Sequence, residues 1–195
     1  MEVELKLLVN QQAQQQLREH PLLKKYAASE PHEDHISGTY FDTPDLAIRK
    51  HDATLRVRHH NAGWVQTLKA NEGRAIGGLH QRQEWETKVK GPQPELSRLR
   101  ELVGKNTPFA SLLRSKSLQR KLAPVFTSEV TRTVWELRLP GGDEIESALD
   151  LGRLDCNGRH LPISEFELEL KSGQPAQFLL QGLRYGQLIA KYFDG

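Results

Sequence analysis

Cysteine is nearly absent: there is one, Cys156, in 195 residues. A lone thiol makes no internal disulfide and no thiolate zinc cluster, so a disulfide-stapled secreted scaffold is excluded and a reducing cytoplasm is the expected setting. Long apolar runs are missing too. The longest are a few residues, such as Phe178-Leu179-Leu180, against the roughly 20 that a membrane-spanning helix needs. The opening Met1-Glu2-Val3-Glu4 is acidic where a secretory leader is basic, which gives an unprocessed cytoplasmic start as the expectation. Neither charge sign dominates: 27 Lys and Arg against 25 Asp and Glu leave +2, no general case for nucleic acid or an anionic membrane as partner. Trp64, Trp85 and Trp135 have no broad basic surface around them and read as packing residues.

What is present suffices for one core. At 37% hydrophobic and 27% charged residues the chain is polar but not disordered, and its length buries about 70% of the unfolded surface. Alternation of polar and aliphatic residues predicts strands at 2–8, 36–42, 54–60, 65–70, 80–90, 126–139, 144–151 and 163–170. Wider hydrophobic spacing predicts helices over 10–28, broken or restarted at Pro21, over 94–121 as two helices, and over 174–192. A turn at Thr43-Pro44-Asp45 precedes a short helix through Lys50, and the Asn157-Gly158 and Pro140-Gly141-Gly142 segments read as hairpin turns.

The polar sides of these strands carry formal charges rather than neutral polar groups. One side of the first offers Glu2, Glu4 and Lys6; others offer Arg56 and Arg58, then Lys69, then Arg82, Glu84, Glu86 and Lys88. Glu144, Glu146 and Asp150 share a side, as do Glu165, Glu167 and Glu169. A solvated face accounts for any one strand, but the segregation of sign from strand to strand points to a charged interior. Like charges two apart on a strand lie roughly 7 Å apart and repel by about 2 kcal/mol when enclosed. Closing the sheet into a barrel sets basic strands opposite acidic ones, and the result suits a hard divalent ion plus a polyanion. Arg56, Arg58 and Arg132 can grip phosphate oxygens, Lys6 and Lys69 add point charges, and clustered carboxylates hold the metal. The aliphatic sides then face outward under the helices.

Glu2-Val3-Glu4-Leu5-Lys6 resembles the ExExK signature of the CYTH superfamily, the triphosphate tunnel metalloenzymes. The likeness continues through Tyr40-Phe41-Asp42-Thr43-Pro44, Leu55-Arg56-Val57-Arg58, Thr67-Leu68-Lys69, Arg82, Arg132, Asp150 with Gly152, the 165–169 segment and Lys191. Gly77-Gly78-Leu79-His80-Gln81-Arg82 is similar to the bacterial inorganic triphosphatase branch. The resemblance implies an α+β, mainly β fold, an eight-stranded antiparallel closed barrel with a charged lumen and helices packed outside. It further implies a Mg²⁺- or Mn²⁺-dependent enzyme. By resemblance Glu2, Glu4, Asp150, Glu167 and Glu169 are metal ligands, and Lys6, Arg56, Arg58, Lys69, Arg82, Arg132 and Lys191 hold the substrate. Glu4 and Glu169, with Lys6, are the expected catalytic residues, the two carboxylates orienting water or its metal. Two departures stand out: Val130 occupies a place that is basic in some relatives, and members of this branch often carry a second, helical domain. Residues 1–195 are therefore expected to be one such domain, alone or as the N-terminal part of a longer protein.

The reaction expected is hydrolysis of inorganic triphosphate, or a related small polyphosphate, to diphosphate and phosphate. Thiamine triphosphate hydrolysis, class IV adenylate cyclase chemistry and a non-catalytic polyphosphate-binding module are the alternatives. Other motifs are set aside. The 73–78 stretch lacks the Gly-Lys-Ser/Thr ending of a P-loop; His32-Glu33-Asp34-His35 reads as a solvated turn, His59-His60 likewise, and Cys156 as passive.

Overall fold

A computed structural model describes residues 2–60, 63–71, 79–105 and 107–173. Within it, eight strands form one antiparallel, strongly curled sheet: β1 (Glu2–Leu8), β2 (His32–Asp42), β3 (Ala53–His60), β4 (Gly63–Asn71), β5 (Leu79–Val89), β6 (Ala123–Arg138), β7 (Glu144–Cys156) and β8 (Arg159–Ser172). Their lateral order is β1-β5-β4-β3-β2-β6-β7-β8. β1 pairs with β5 through Glu2↔Arg82 to Leu5↔Leu79 and with β8 through Glu4↔Glu169 to Leu8↔Glu165.

The hairpins form where turn chemistry dictates. Cys156 pairs with Arg159, so Asn157 and Gly158 alone make the turn; their φ values of 48° and 78° are the two left-handed conformations that a type I′ loop needs and that Asn-Gly supplies. At the other end of β2, Asp42 is buried and staples the following loop, its Oδ1 accepting from the backbone N–H of Thr43 (2.7 Å) and Ile48 (2.9 Å) and its Oδ2 from Arg49 (3.0 Å). That loop ends in a single 3₁₀ turn, Arg49–His51.

Alternation sends the aliphatic residues outward into two cores. In one, Leu5, Leu137, Leu149, Phe166 and Leu168 pack with Ala13 and Leu17 of α1 (Gln11–Arg18) and Leu23 of α2 (Pro21–Tyr26). In the other, Leu55, Val57 and Leu68 meet Leu99, Phe109, Leu113 and Leu118 from α3 (Leu96–Leu102), α4 (Pro108–Arg114) and α5 (Lys116–Lys121). Helices thus cover the convex side of the sheet and leave its concave side to the charges.

Among the described residues the expected strands are present with shifted bounds. Pro21 opens α2 at its first turn, where its missing N–H costs nothing. The 94–121 segment holds three helices rather than two, because the Ser115 hydroxyl accepts from Leu118 N (3.3 Å) and restarts the chain as α5. His32-Glu33-Asp34-His35 is strand rather than a solvated turn. β2 begins at His32, paired with Val134, and continues through Asp34 opposite Arg132. β6, β7 and β8 likewise extend beyond their hydrophobic alternation. The expected helix over 174–192 lies outside the described residues. Among the described residues no helix is long and apolar enough to cross a membrane.

Candidate functional site

The concave face encloses a cavity of about 940 Å³. Strand parity decides what lines it. β1 contributes Glu4 and Lys6, β3 Arg56 and Arg58, β4 Thr67 and Lys69, β5 Glu84 and Glu86. From the long strands come Arg132 on β6, Glu146 and Asp150 on β7, and Glu165, Glu167 and Glu169 on β8. Their neighbours one residue along, such as Leu5, Leu55, Leu68 and Leu168, are the buried core residues of the convex side.

Most of these charges hold each other. Arg132 donates from Nε and Nη2 to the two oxygens of Asp150 (2.7 and 2.6 Å) and from Nη2 to Glu167 (2.7 Å). Lys6 Nζ bridges Glu165 (3.0 Å) and Glu167 (2.5 Å), and Lys171 bridges Glu169 (2.9 Å) and Glu146 (3.2 Å). On the opposite wall Arg58 pairs with Glu86 at 3.0 Å and Lys69 with Glu84 at 3.6 Å. Arg56 lies 6.0 Å from the Tyr40 ring, which stacks on Phe126 with centroids 4.2 Å apart. Gly38 lies beside this arm: a Cβ there would sit 3.4 Å from Arg56 Cδ and 2.9 Å from the Ser128 hydroxyl.

Burial and pairing compete over the protonation of these groups. Burial would push the Glu167 carboxyl up, but Arg132 and Lys6 outweigh it and hold it down to about 2. Burial raises Asp150, and the Arg132 pairing offsets that only in part because the charge on Glu167 adds to it. Burial also works against the charge on Lys6, yet Glu167 and Glu165 keep its ammonium well above its ordinary range.

Register makes the acidic side denser still. Glu136, Glu146, Glu169 and Glu4 are direct partners across four adjacent strands, an arrangement of like charges that is unfavourable unless cations intervene. Of the described residues lining the cavity, ten are carboxylates (Glu4, Asp34, Glu84, Glu86, Glu136, Glu146, Asp150, Glu165, Glu167, Glu169) and six are Lys or Arg, leaving four negative charges in excess.

The description of the CYTH domain matches residues 1–183. The chain belongs to the CYTH domain family. A curated relative, the inorganic triphosphatase of Haemophilus influenzae, is 34% identical over 173 residues, covering 88% of this chain and 46% of that protein; the chain thus spans about half of the relative's length. Among solved structures, Hippeastrum HpAC1, described as revealing a dominant triphosphatase activity, superposes with a TM-score of 0.60 at 19% identity over 98% of this chain and 88% of that one. The PH1819 protein of Pyrococcus horikoshii superposes with a TM-score of 0.53 at 17% identity, covering 98% and 89%. At such identities these two likenesses show a shared fold.

Within this CYTH fold, nine of the residues singled out from the sequence line one cavity: Glu4, Lys6, Arg56, Arg58, Lys69, Arg132, Asp150, Glu167 and Glu169. Glu2 and Arg82 are register partners in β1 and β5, but their side chains, like the whole of Lys191, lie outside the described residues. Val130 and Val134 flank Arg132 in the wall, which is apolar at those two positions. Sequence reasoning missed His32 and Asp34, which line the cavity from β2 with Nε2 and Oδ2 3.6 Å apart, and Tyr40 and Lys171. Glu146 was legible by its parity with Asp150. Lys171 also continues the parity of Glu165, Glu167 and Glu169, which was the signal available for it. Among the described residues no three His, Cys, Asp or Glu side chains gather around one point, since the carboxylates hold the cavity's own Lys and Arg instead. Their chemistry fits a hard divalent ion, all-oxygen donors in excess of the available positive charge.

Proposed function

We propose that this chain is a divalent-metal-dependent triphosphatase that hydrolyses inorganic triphosphate to diphosphate and phosphate inside a closed β-tunnel. The observation that carries the reading is that, among the described residues, carboxylates outnumber Lys and Arg by four and face a wall of Arg and Lys in one cavity. An acidic pocket with fixed cations suits a polyanion that arrives with divalent ions and suits neither partner alone. The name of the Haemophilus relative and the triphosphatase description of the Hippeastrum protein point to the same substrate class. Pairing of β1 with both β5 and β8 supports the closed tunnel.

Glu2, Glu4, Asp150, Glu167 and Glu169 would hold Mg²⁺ or Mn²⁺. When bound, the ion supplies charge neutralisation on the phosphates and a lowered pKa for the attacking water. Arg56 and Arg58 on β3, Lys69 on β4 and Arg132 on β6, with Lys6, Arg82 and Lys191, grip the phosphate oxygens and hold the chain in line. Glu4 and Glu169, direct neighbours across β1 and β8, orient the water, and the guanidinium groups stabilise charge developing on the leaving diphosphate. The 1–195 span acts as one catalytic domain in a reducing, cytoplasmic setting.

One observation favours a second substrate class: Tyr40, Phe126, Leu154 and Ile163 give the cavity an apolar stretch on which the organic group of thiamine triphosphate or ATP would rest. Phosphate release from triphosphate, thiamine triphosphate and ATP, with and without Mg²⁺ or Mn²⁺, separates the two. The main reading expects metal-dependent turnover with triphosphate fastest; faster turnover of either organic substrate, or none with triphosphate, overturns it.

A further inference from the structure

We infer that Lys171 is an internal stand-in for the divalent ion, seated between Glu146 and Glu169 and displaced when metal binds, so that it sets the metal affinity of the site and makes Glu146 part of it. This rests on the metal-dependent reading above. Glu146 and Glu169 are cross-strand partners on β7 and β8, in the row of four carboxylates that continues to the buried Glu4. Two carboxylates directly opposite one another repel unless a cation stands between them, and the cation there is the Lys171 ammonium, 2.9 Å from one and 3.2 Å from the other. Its hold is weaker than that of the other two bridging cations. The Lys171 side chain is 42% exposed, against 31% for Lys6 and 20% for Arg132, and it makes no bond to the more deeply set Asp150 or Glu167.

Lys171 also has somewhere to go. It stands where the main cavity adjoins a smaller one of about 250 Å³ lined by Glu136, Arg138 and Glu144. Glu144 is held there by Arg138 at 3.0 Å, whereas Glu136 has, among the described residues, only a long contact from the Ser29 hydroxyl, 3.5 Å. A displaced ammonium can swing to Glu136 and keep a counter-ion, so the exchange leaves no stranded charge. A doubly charged ion then replaces a singly charged one between the same two carboxylates.

Mn²⁺ titration of the full chain, followed by loss of the free-ion electron paramagnetic resonance signal, tests this without turnover. Lys171→Met is expected to bind Mn²⁺ about tenfold more tightly than wild type, the scale of two part-exposed ion pairs no longer competing, and to melt lower than wild type in chelator but not in excess Mn²⁺. Lys171→Arg stays near wild type. Arg138→Met, which removes a cation from the adjoining rim, changes affinity less than twofold and so excludes a general charge effect. Glu146→Gln weakens Mn²⁺ binding. Unchanged or weaker Mn²⁺ affinity in Lys171→Met, with wild type binding Mn²⁺, overturns the inference and leaves the triphosphatase reading standing; absence of Mn²⁺ binding in wild type overturns both. Should Lys171→Met not fold, Lys171→Gln carries the same expectation.

Discussion

Arg132 is the side chain whose loss the structure prices most sharply. It makes three charge-assisted bonds of 2.6 to 2.7 Å to Asp150 and Glu167, carboxylates only 6% and 9% exposed. Removing one partner of a buried ion pair costs about 3–5 kcal/mol because the other charge is left uncompensated. Glu167 retains Lys6 at 2.5 Å, so Asp150 is the group stranded in Arg132→Leu, and about 3 kcal/mol, the lower end, is expected at neutral pH. The sign of the pH dependence follows from Asp150. Burial already raises its carboxyl, and without Arg132 it rises further, so it takes up a proton more readily as pH falls from neutral into the acid range. The deficit should shrink over that interval. Urea unfolding by circular dichroism at neutral and at acid pH, for wild type, Arg132→Leu and Arg132→Leu/Asp150→Asn, measures it. The double variant should recover about 1 kcal/mol or more. A deficit below about 1 kcal/mol at neutral pH, or one that grows on acidification, would refute the reasoning.

Two further perturbations test the cavity wall. Because Glu167 is held at about 2, below its ordinary 4.5, its ionisation stabilises the fold above pH 4.5, and that contribution, about 3 kcal/mol before the opposing effect of Asp150, is lost as pH falls through 2; an acid titration in which Glu167→Gln loses as much stability as wild type between those values would contradict the assignment. Gly152→Ala should cost about 3 kcal/mol or more, since its Cβ would sit 2.0 Å from the Glu129 carbonyl oxygen and 2.9 Å from two further backbone atoms of β6. Gly38→Ala meets its nearest atom in a rotatable hydroxyl and should cost less than about 1 kcal/mol. Equal melting temperatures for the two glycine variants would show that β6 yields at Glu129.

Much of this architecture was legible because parity on a strand is unforgiving. Glu4 and Lys6, Arg56 and Arg58, and Glu167 and Glu169 fall on one face whenever Leu5, Val57 and Leu168 fall in the core, and a one-residue slip would reverse both. The same logic fails where both faces are polar. His32-Glu33-Asp34-His35 carries no hydrophobic member to reveal its period, so it read as a turn although its backbone completes the ladder with β6. Lys171 escaped for a related reason: it follows the last aliphatic residue of β8, Leu170, where alternation ends but pairing does not. Lateral order was also hidden, since nothing local places β2 against β6 rather than β1, and it is this crossover that brings Asp34 opposite Arg132.

The most direct measurement of the central claim is ³¹P nuclear magnetic resonance of triphosphate incubated with wild type, Glu4→Gln and Glu169→Gln in Mg²⁺. Equal amounts of diphosphate and phosphate should appear with wild type, none when the metal is chelated, and at least about a hundredfold less with either variant, both of which melt as cooperatively as wild type. Phosphate release that survives chelation, or that persists at the wild-type rate in both variants, would contradict the account.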